Sequence, residues 1–216
     1  MDFATVKRGE VLRYMGCKGE VPPEVLNLAE ECLAMLGEVC EPRYVVREFP
    51  LKMPGDGVIE TDCFRTVSRN LEKNLKDCHK LLVFAATLGI GVDHLIRRYN
   101  RLDMSRTVAL QAGAAAVLEE YCDQVCRKLR EDYERQGFYL RPRFSPGYGD
   151  FPLDCQPQIL HGLEAGKRVG ITLTEGFLMM PTKSVTAVMG VGKTPGRCRG
   201  GGCEVCGKRD CAYRRG

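Results

Sequence analysis

Two short stretches of this 216-residue sequence carry residue types and spacings that can do chemistry. The first is "CRGGGCEVCGKRDC", in which Cys198, Cys203, Cys206 and Cys211 follow a spacing of four, two and four intervening residues. Four thiolates this close in sequence can wrap one tetrahedral zinc or one iron–sulfur cluster, and the glycines at 200–202 let the chain turn back on itself. Arg197, Arg199, Lys208 and Arg209 flank them, and cationic neighbours favour thiolate over thiol. Two disulfides are the competing use of the same four residues. The second stretch is "RFSPGYGD", residues 143–150. Pro146 fixes its own φ, while Gly147 and Gly149 open backbone shapes closed to other residues. A tight turn there can hold Arg143, whose planar fork suits a carboxylate or phosphate, beside Tyr148, which offers a ring and a hydroxyl. The bland alternative is that Arg143 pairs with a structural carboxylate.

The elements that must position these groups follow from periodicity. Pro22 and Pro23 open a helix with apolar residues at Val25, Leu28, Ala29, Cys32, Leu33 and Leu36, which Gly37 is expected to end. "RYVVREFPLKM" and "VIE" read as two β segments around the turn "PGDG". Ser68 is placed to cap a helix burying Leu71, Leu75 and Cys78, which leads into the continuous apolar run "KLLVFAATLG", a buried strand. The strongest helical pattern covers residues 103–136 through Val108, Ala115, Leu118, Cys122, Val125, Leu129 and Tyr133, with Gly137 closing it. "QPQILHGLEAGKRVG" reads as one short helix, and "ITLTE" and "SVTAVMGV" as strands. The expected fold class is α+β: an antiparallel sheet bracketed by helices over residues 1–192, then a short cysteine-rich appendage over 193–216.

Composition bounds the function. The chain is 44% hydrophobic and 28% charged, which is ordinary globular material. Its net charge of +4 is carried by the last residues, where seven basic side chains from Lys193 onward face two acids. A nearly neutral body argues against a nucleic-acid-binding face. No apolar run approaches the length of a membrane span, and "MDFATVKRGEV" lacks a secretory pattern, so no membrane role and a cytoplasmic location are expected. The other eight of the twelve cysteines are scattered singly along apolar faces, as suits reduced thiols used as small hydrophobes. A reducing compartment in turn disfavours the disulfide reading of the tail. His79, His94 and His161 show no ligand spacing, and no Ser–His–Asp set can be assigned.

The order R-x-x-x-G-Y (143–148), an intervening helix and then "GITLTEGFLMMPTKSV" resembles the activation domain of cobalamin-dependent methionine synthase, most clearly over residues 108–190. The upstream text looks more like the short, stand-alone members of that family. The resemblance implies a domain that binds S-adenosylmethionine and presents its methyl group to oxidised cobalamin on a partner methyltransferase protein; one electron and that methyl group restore methylcobalamin. On this chain Arg143 would grip the ligand carboxylate, Gly147 would let the backbone approach, and Tyr148 would lie near the methyl group or the corrin. Glu119 or Glu120 would face the sulfonium cation, their alternative being a solvated helix face. The resemblance also implies a need for an electron donor, which an iron–sulfur tail can serve and zinc cannot. Two departures stand out. An aromatic pair expected beyond "SVSG" in larger members is replaced by Met189 and Gly190, and an acidic motif containing tryptophan is missing, the chain having no tryptophan. The competing function is a docking partner of a cobalamin protein with a structural zinc tail and no ligand turnover.

Overall fold

The computed structural model describes residues 5–195. Helices α1 (Arg8–Tyr14) and α2 (Pro23–Val39) lead into strand β1 (Arg43–Pro50). A small meander of β2 (Lys52–Gly55), β3 (Val58–Glu60) and β4 (Arg65–Val67) follows, then α3 (Arg69–Asn74) and the long β5 (Cys78–Thr87). The chain continues through α4 (Ile90–Tyr99), α5 (Met104–Glu134) and β6 (Tyr139–Leu140). Last come α6 (Gln156–Gly162), α7 (Ala165–Val169), a hairpin of β7 (Thr172–Leu173) and β8 (Met179–Met180), and β9 (Ser184–Gly192).

The main sheet has the order β1-β5-β9-β6, antiparallel throughout. Its centre is β5, and the alternation of side chains along that strand creates two cores. Leu82, Phe84, Ala86 and Leu88 join one cluster with Leu33, Leu36, Leu110 and Val117 of α2 and α5. Leu81, Val83 and Ala85 join the other with Ile59, Leu71, Leu75, Phe151, Ile159 and Leu163. A continuous apolar run was therefore required, because both faces of β5 are covered.

Three local expectations differ from the structure. Helix α2 runs through Gly37 to Val39. Gly37 lies on its exposed side, and the helix ends only where Pro42 demands extended backbone before it and the Glu41 amide pairs with the Leu88 carbonyl. Helix α5 spans Met104–Glu134 as its pattern predicts, but Val108 is 45% exposed. Its first half is buried on several sides through Ala109, Leu110, Ala112, Ala114 and Ala116, because α1, α2 and α4 all pack on it. The single helix expected over 156–170 is broken into α6 and α7 by Glu164, whose φ is +52°.

Ser68 caps α3 as its position predicts, accepting from the Leu71 amide at 3.0 Å. Its hydroxyl donates to Asp150, which also accepts from the amides of Arg69 (2.9 Å) and Asn70 (3.1 Å). Replacing Ser68 with Ala should lower stability by about 1–2 kcal/mol, read as a fall in the urea midpoint. The Ser68 hydroxyl, with the Asn70 and Arg69 amides, holds the Asp150 carboxyl below its ordinary range. A carboxyl depressed in the folded state stabilises above its unfolded value of about 3.9, and that contribution drains away as pH falls through the folded value. The Ser68→Ala protein should accordingly lose stability less steeply than the parent on acidification below about pH 4.

Candidate functional site

The segment after α5 runs beside β9 before it turns. Tyr139 and Leu140 pair with Gly192 and Val191, the Arg141 amide donates to the Gly190 carbonyl at 2.8 Å, and Phe144 and Val188 exchange two bonds of 2.9 Å. Phe144 and Phe151 then anchor both ends of the turn in the second core, with ring centroids 6.3 Å apart, and Phe64 lies 5.8 Å from Phe151. Between them the Gly147 amide donates to the Phe151 carbonyl and the Phe151 amide to the Tyr148 carbonyl. Gly147 has φ +89° and Gly149 φ +57°, and a side chain at 149 would collide with Asn70. The turn is thus fixed from both ends and from α3.

That frame holds Arg143 against α5. Its Nη2 donates to Glu119 Oε2 at 3.1 Å and to Asp123 Oδ1 at 2.8 Å. The arginine side chain is only 18% exposed, whereas the two carboxylates are half-exposed. Burial works against the guanidinium charge, but Cys122, Cys126, Glu119 and Asp123 outweigh it, and its pKa is raised. Cys122 and Cys126 lie on the same stretch of α5; burial pushes the Cys122 thiol up to about 12, so it stays protonated at neutral pH.

The structure brings some of the expected residues together and separates others. Arg143 and Glu119 are in direct contact. Glu120 is turned away, accepting from Arg127 at 3.0 Å and from Gln124 at 3.1 Å. Tyr148 is 69% exposed on the rigid turn, its ring turned to solvent. Asp123 was missed by sequence reasoning, although it sits four residues after Glu119, which places both on one helix face, while Glu120 is rotated off it. A crevice of about 40 Å³ lies beside these acids, lined by Lys7, Glu10, Tyr14, Ala116, Glu119, Glu120 and Asp123. That is room for one small head group, not for a nucleoside. An open cleft of about 860 Å³ between β1 and α6–α7 shares no residue with the Arg143 turn.

Met189 and Gly190 are fully buried or nearly so in β9, with Met189 Sδ 3.7 Å from Cys126 Sγ, so neither position faces a ligand at the turn. Cys198, Cys203, Cys206 and Cys211 lie outside the described residues. Among the described residues, no group of three or more His, Cys, Asp and Glu side chains is arranged to hold a metal ion, and the eight cysteines are unpaired. No described helix is long and apolar enough to cross a membrane.

Comparison with known proteins gives the lineage. No curated protein matches the chain. Among solved structures, the crystal structure of the MetH reactivation domain bound to AdoHcy aligns with a TM-score of 0.66 and 20% identity, over 88% of this chain and 76% of that one. That likeness is one of fold: an antiparallel sheet with helices on its faces. The sequence model for the vitamin B12 dependent methionine synthase activation domain matches residues 67–195, which take in α5, the Arg143 turn and β9. With well over half of its length matched, this chain belongs to the vitamin B12 dependent methionine synthase activation domain family.

Proposed function

We propose that the chain is an activation module that binds S-adenosylmethionine and serves a cobalamin-carrying methyltransferase of the methionine synthase type, supplied as a separate polypeptide. The observation that carries this reading is the arrangement of Arg143, Glu119 and Asp123 beside the exposed Tyr148 turn. One guanidinium and two carboxylates leave one negative charge, and the ligand carries a carboxylate, an ammonium and a sulfonium, which leave one positive charge. The ligand carboxylate takes the Arg143 fork, and the acid released by Arg143 turns to a ligand cation. Ion pairs are exchanged rather than lost, and the half-exposed acids can move at little cost. Tyr148 presents a flat face outward, where a planar macrocycle on a partner protein can reach it.

Bound S-adenosylmethionine supplies an electrophilic methyl group. One oxidised cob(II)alamin, one electron and one sulfonium give one methylcobalamin and one thioether. The sulfur–carbon bond breaks with its electron pair kept by sulfur, and the new carbon–cobalt bond uses the pair that the added electron completes on cobalt. The residues of this chain bind and orient; none transfers a proton. The spacing of Cys198, Cys203, Cys206 and Cys211 in the sequence suits a metal centre, and the reaction's need for an electron favours an iron–sulfur cluster over zinc. The chain works in the cytoplasm, a location supported by the eight cysteines among the described residues, which are unpaired and five of which are buried.

A docking-only role with a structural zinc tail has one observation in its favour: Arg143 is already committed to two acids. Calorimetry separates the two readings. Titration of the full chain with S-adenosylmethionine should show saturable binding to one site, weakening with salt; absence of binding would leave the docking role.

A further inference from the structure

Strand β1 forms one edge of the main sheet. Its register with β5 runs from Arg43 opposite Thr87 to Pro50 opposite Lys80 without a bulge, and the next amide, that of Leu51, donates to the His79 carbonyl at 3.1 Å. That bond sets the phase of the ladder. Odd-numbered residues of β1 turn their N–H and C=O groups toward β5, so Tyr44, Val46 and Glu48 turn theirs outward. The Leu88 amide, donating to the Lys183 carbonyl across the β5–β9 ladder, fixes the same phase independently. Among the described residues, no backbone bond reaches the outward groups of Tyr44, Val46 or Glu48. An edge of this kind is a template for another strand. The charged side chains that could guard it are engaged within the chain. Arg47 Nη1 donates to the Gly162 carbonyl at 2.5 Å, and Glu48 accepts from Lys80 at 2.7 Å and from the Tyr133 hydroxyl at 2.8 Å.

The residues along the edge fit a second copy of this chain. Pro42 precedes β1 and Pro50 ends it; both fall at outward positions, both lack an N–H, and they stand symmetrically about Val46. In an antiparallel pair, outward residues must face outward residues, so β1 can pair with itself along most of its length only about Val46 or about Arg47. Pairing about Arg47 sets that arginine against its own copy and gives Tyr44 a proline that cannot donate. Pairing about Val46 sets Pro42 opposite Pro50, Tyr44 opposite Glu48 and Val46 opposite Val46. The amides of Tyr44, Val46 and Glu48 then all meet carbonyls, and the two prolines mark the ends of the ladder. No like charges lie opposite one another, because Arg43 faces Phe49 and Val45 faces Arg47. Arg43 of the second copy arrives beside Phe49 in the open cleft of about 860 Å³, which the Asp62 carboxylate also lines.

We propose that two copies of this chain pair through β1, antiparallel about Val46, and join their main sheets into one continuous sheet. The Arg143 turn lies at the opposite edge, beyond β9, so the pairing goes beyond the ligand-binding reading and does not depend on it.

Sedimentation and light scattering on the full chain, from micromolar to near-millimolar concentration, should show the mass of two chains at the upper end. Residue-resolved amide exchange by NMR on the same samples should show Tyr44, Val46 and Glu48 protected in the dimer and released on dilution. Val46→Pro removes the donor at the two-fold axis from both chains and should raise the dissociation constant on the order of a hundredfold. Its amide has no backbone partner within the described residues, so the monomer should still fold; if it does not, exchange in the parent decides. A chain that stays monomeric throughout overturns the pairing, as does a dimer in which the three amides exchange freely or which Val46→Pro leaves intact. Protection of those amides that is independent of concentration would assign the edge to a segment of the same chain and overturn it too.

Discussion

Arg143→Ala should weaken S-adenosylmethionine binding at least about a hundredfold by calorimetry, because two charge-assisted bonds to the ligand carboxylate disappear together. Arg143→Lys should fall between, about tenfold weaker than the parent, since an ammonium keeps the charge but not the fork. The fold should survive both. The truncated side chain makes two ion pairs to half-exposed carboxylates, which water can solvate once the guanidinium is gone. The turn itself is held by Phe144, Phe151 and Asp150, none of which depends on Arg143. An unfolding free energy from urea titration within about 1 kcal/mol of the parent, combined with lost binding, would assign Arg143 to the ligand. Unchanged binding would mean that the Glu119 and Asp123 pairs are its whole purpose.

What could be read from the sequence divides along physical lines. Local signals were sufficient for the Ser68 cap, the turn at "PGDG" between β2 and β3, the buried β5 and the length of α5, because capping, turn chemistry and periodicity are written in neighbouring residues. Single-face reasoning failed where several helices converge. Val108 fits an amphipathic stripe on α5, yet the alanines around it are buried by three other helices and Val108 itself is exposed. The site shows the same division. The turn and its glycines were legible, and so was Arg143. Its partner Asp123 lies twenty residues upstream, and it meets Arg143 where Glu120 does not because it shares the Glu119 face of α5. Arg141 and Arg143, two positions apart, look equivalent in sequence; Pro142 and the end of β6 send one to the Lys76–Cys78 turn and the other to α5.

Gly190→Val should cost the fold about 2–3 kcal/mol, read as a lower denaturation midpoint at an unchanged slope. Gly190 is buried in β9, and the reason for glycine there is occupancy. A Cβ alone would stand 2.6 Å from Cys78 Sγ and 2.8 Å from Leu75 Cδ2, both inside contact distance, and valine adds two further methyl groups. Leu75 has no exposed surface, so it cannot move aside into solvent. A smaller probe locates the conflict: Gly190→Ala should lose about 1–2 kcal/mol, and Cys78→Ala in the same protein should return part of that loss by removing the sulfur. A double-mutant cycle with no coupling would mean that Leu75 or Arg141 sets the limit instead. The same crowding accounts for the residue types at 189 and 190. An aromatic pair would have to fit where Cys78, Leu75, Cys126 and the Arg141 stem already fill the space, so neither position has room to present a ring to a ligand.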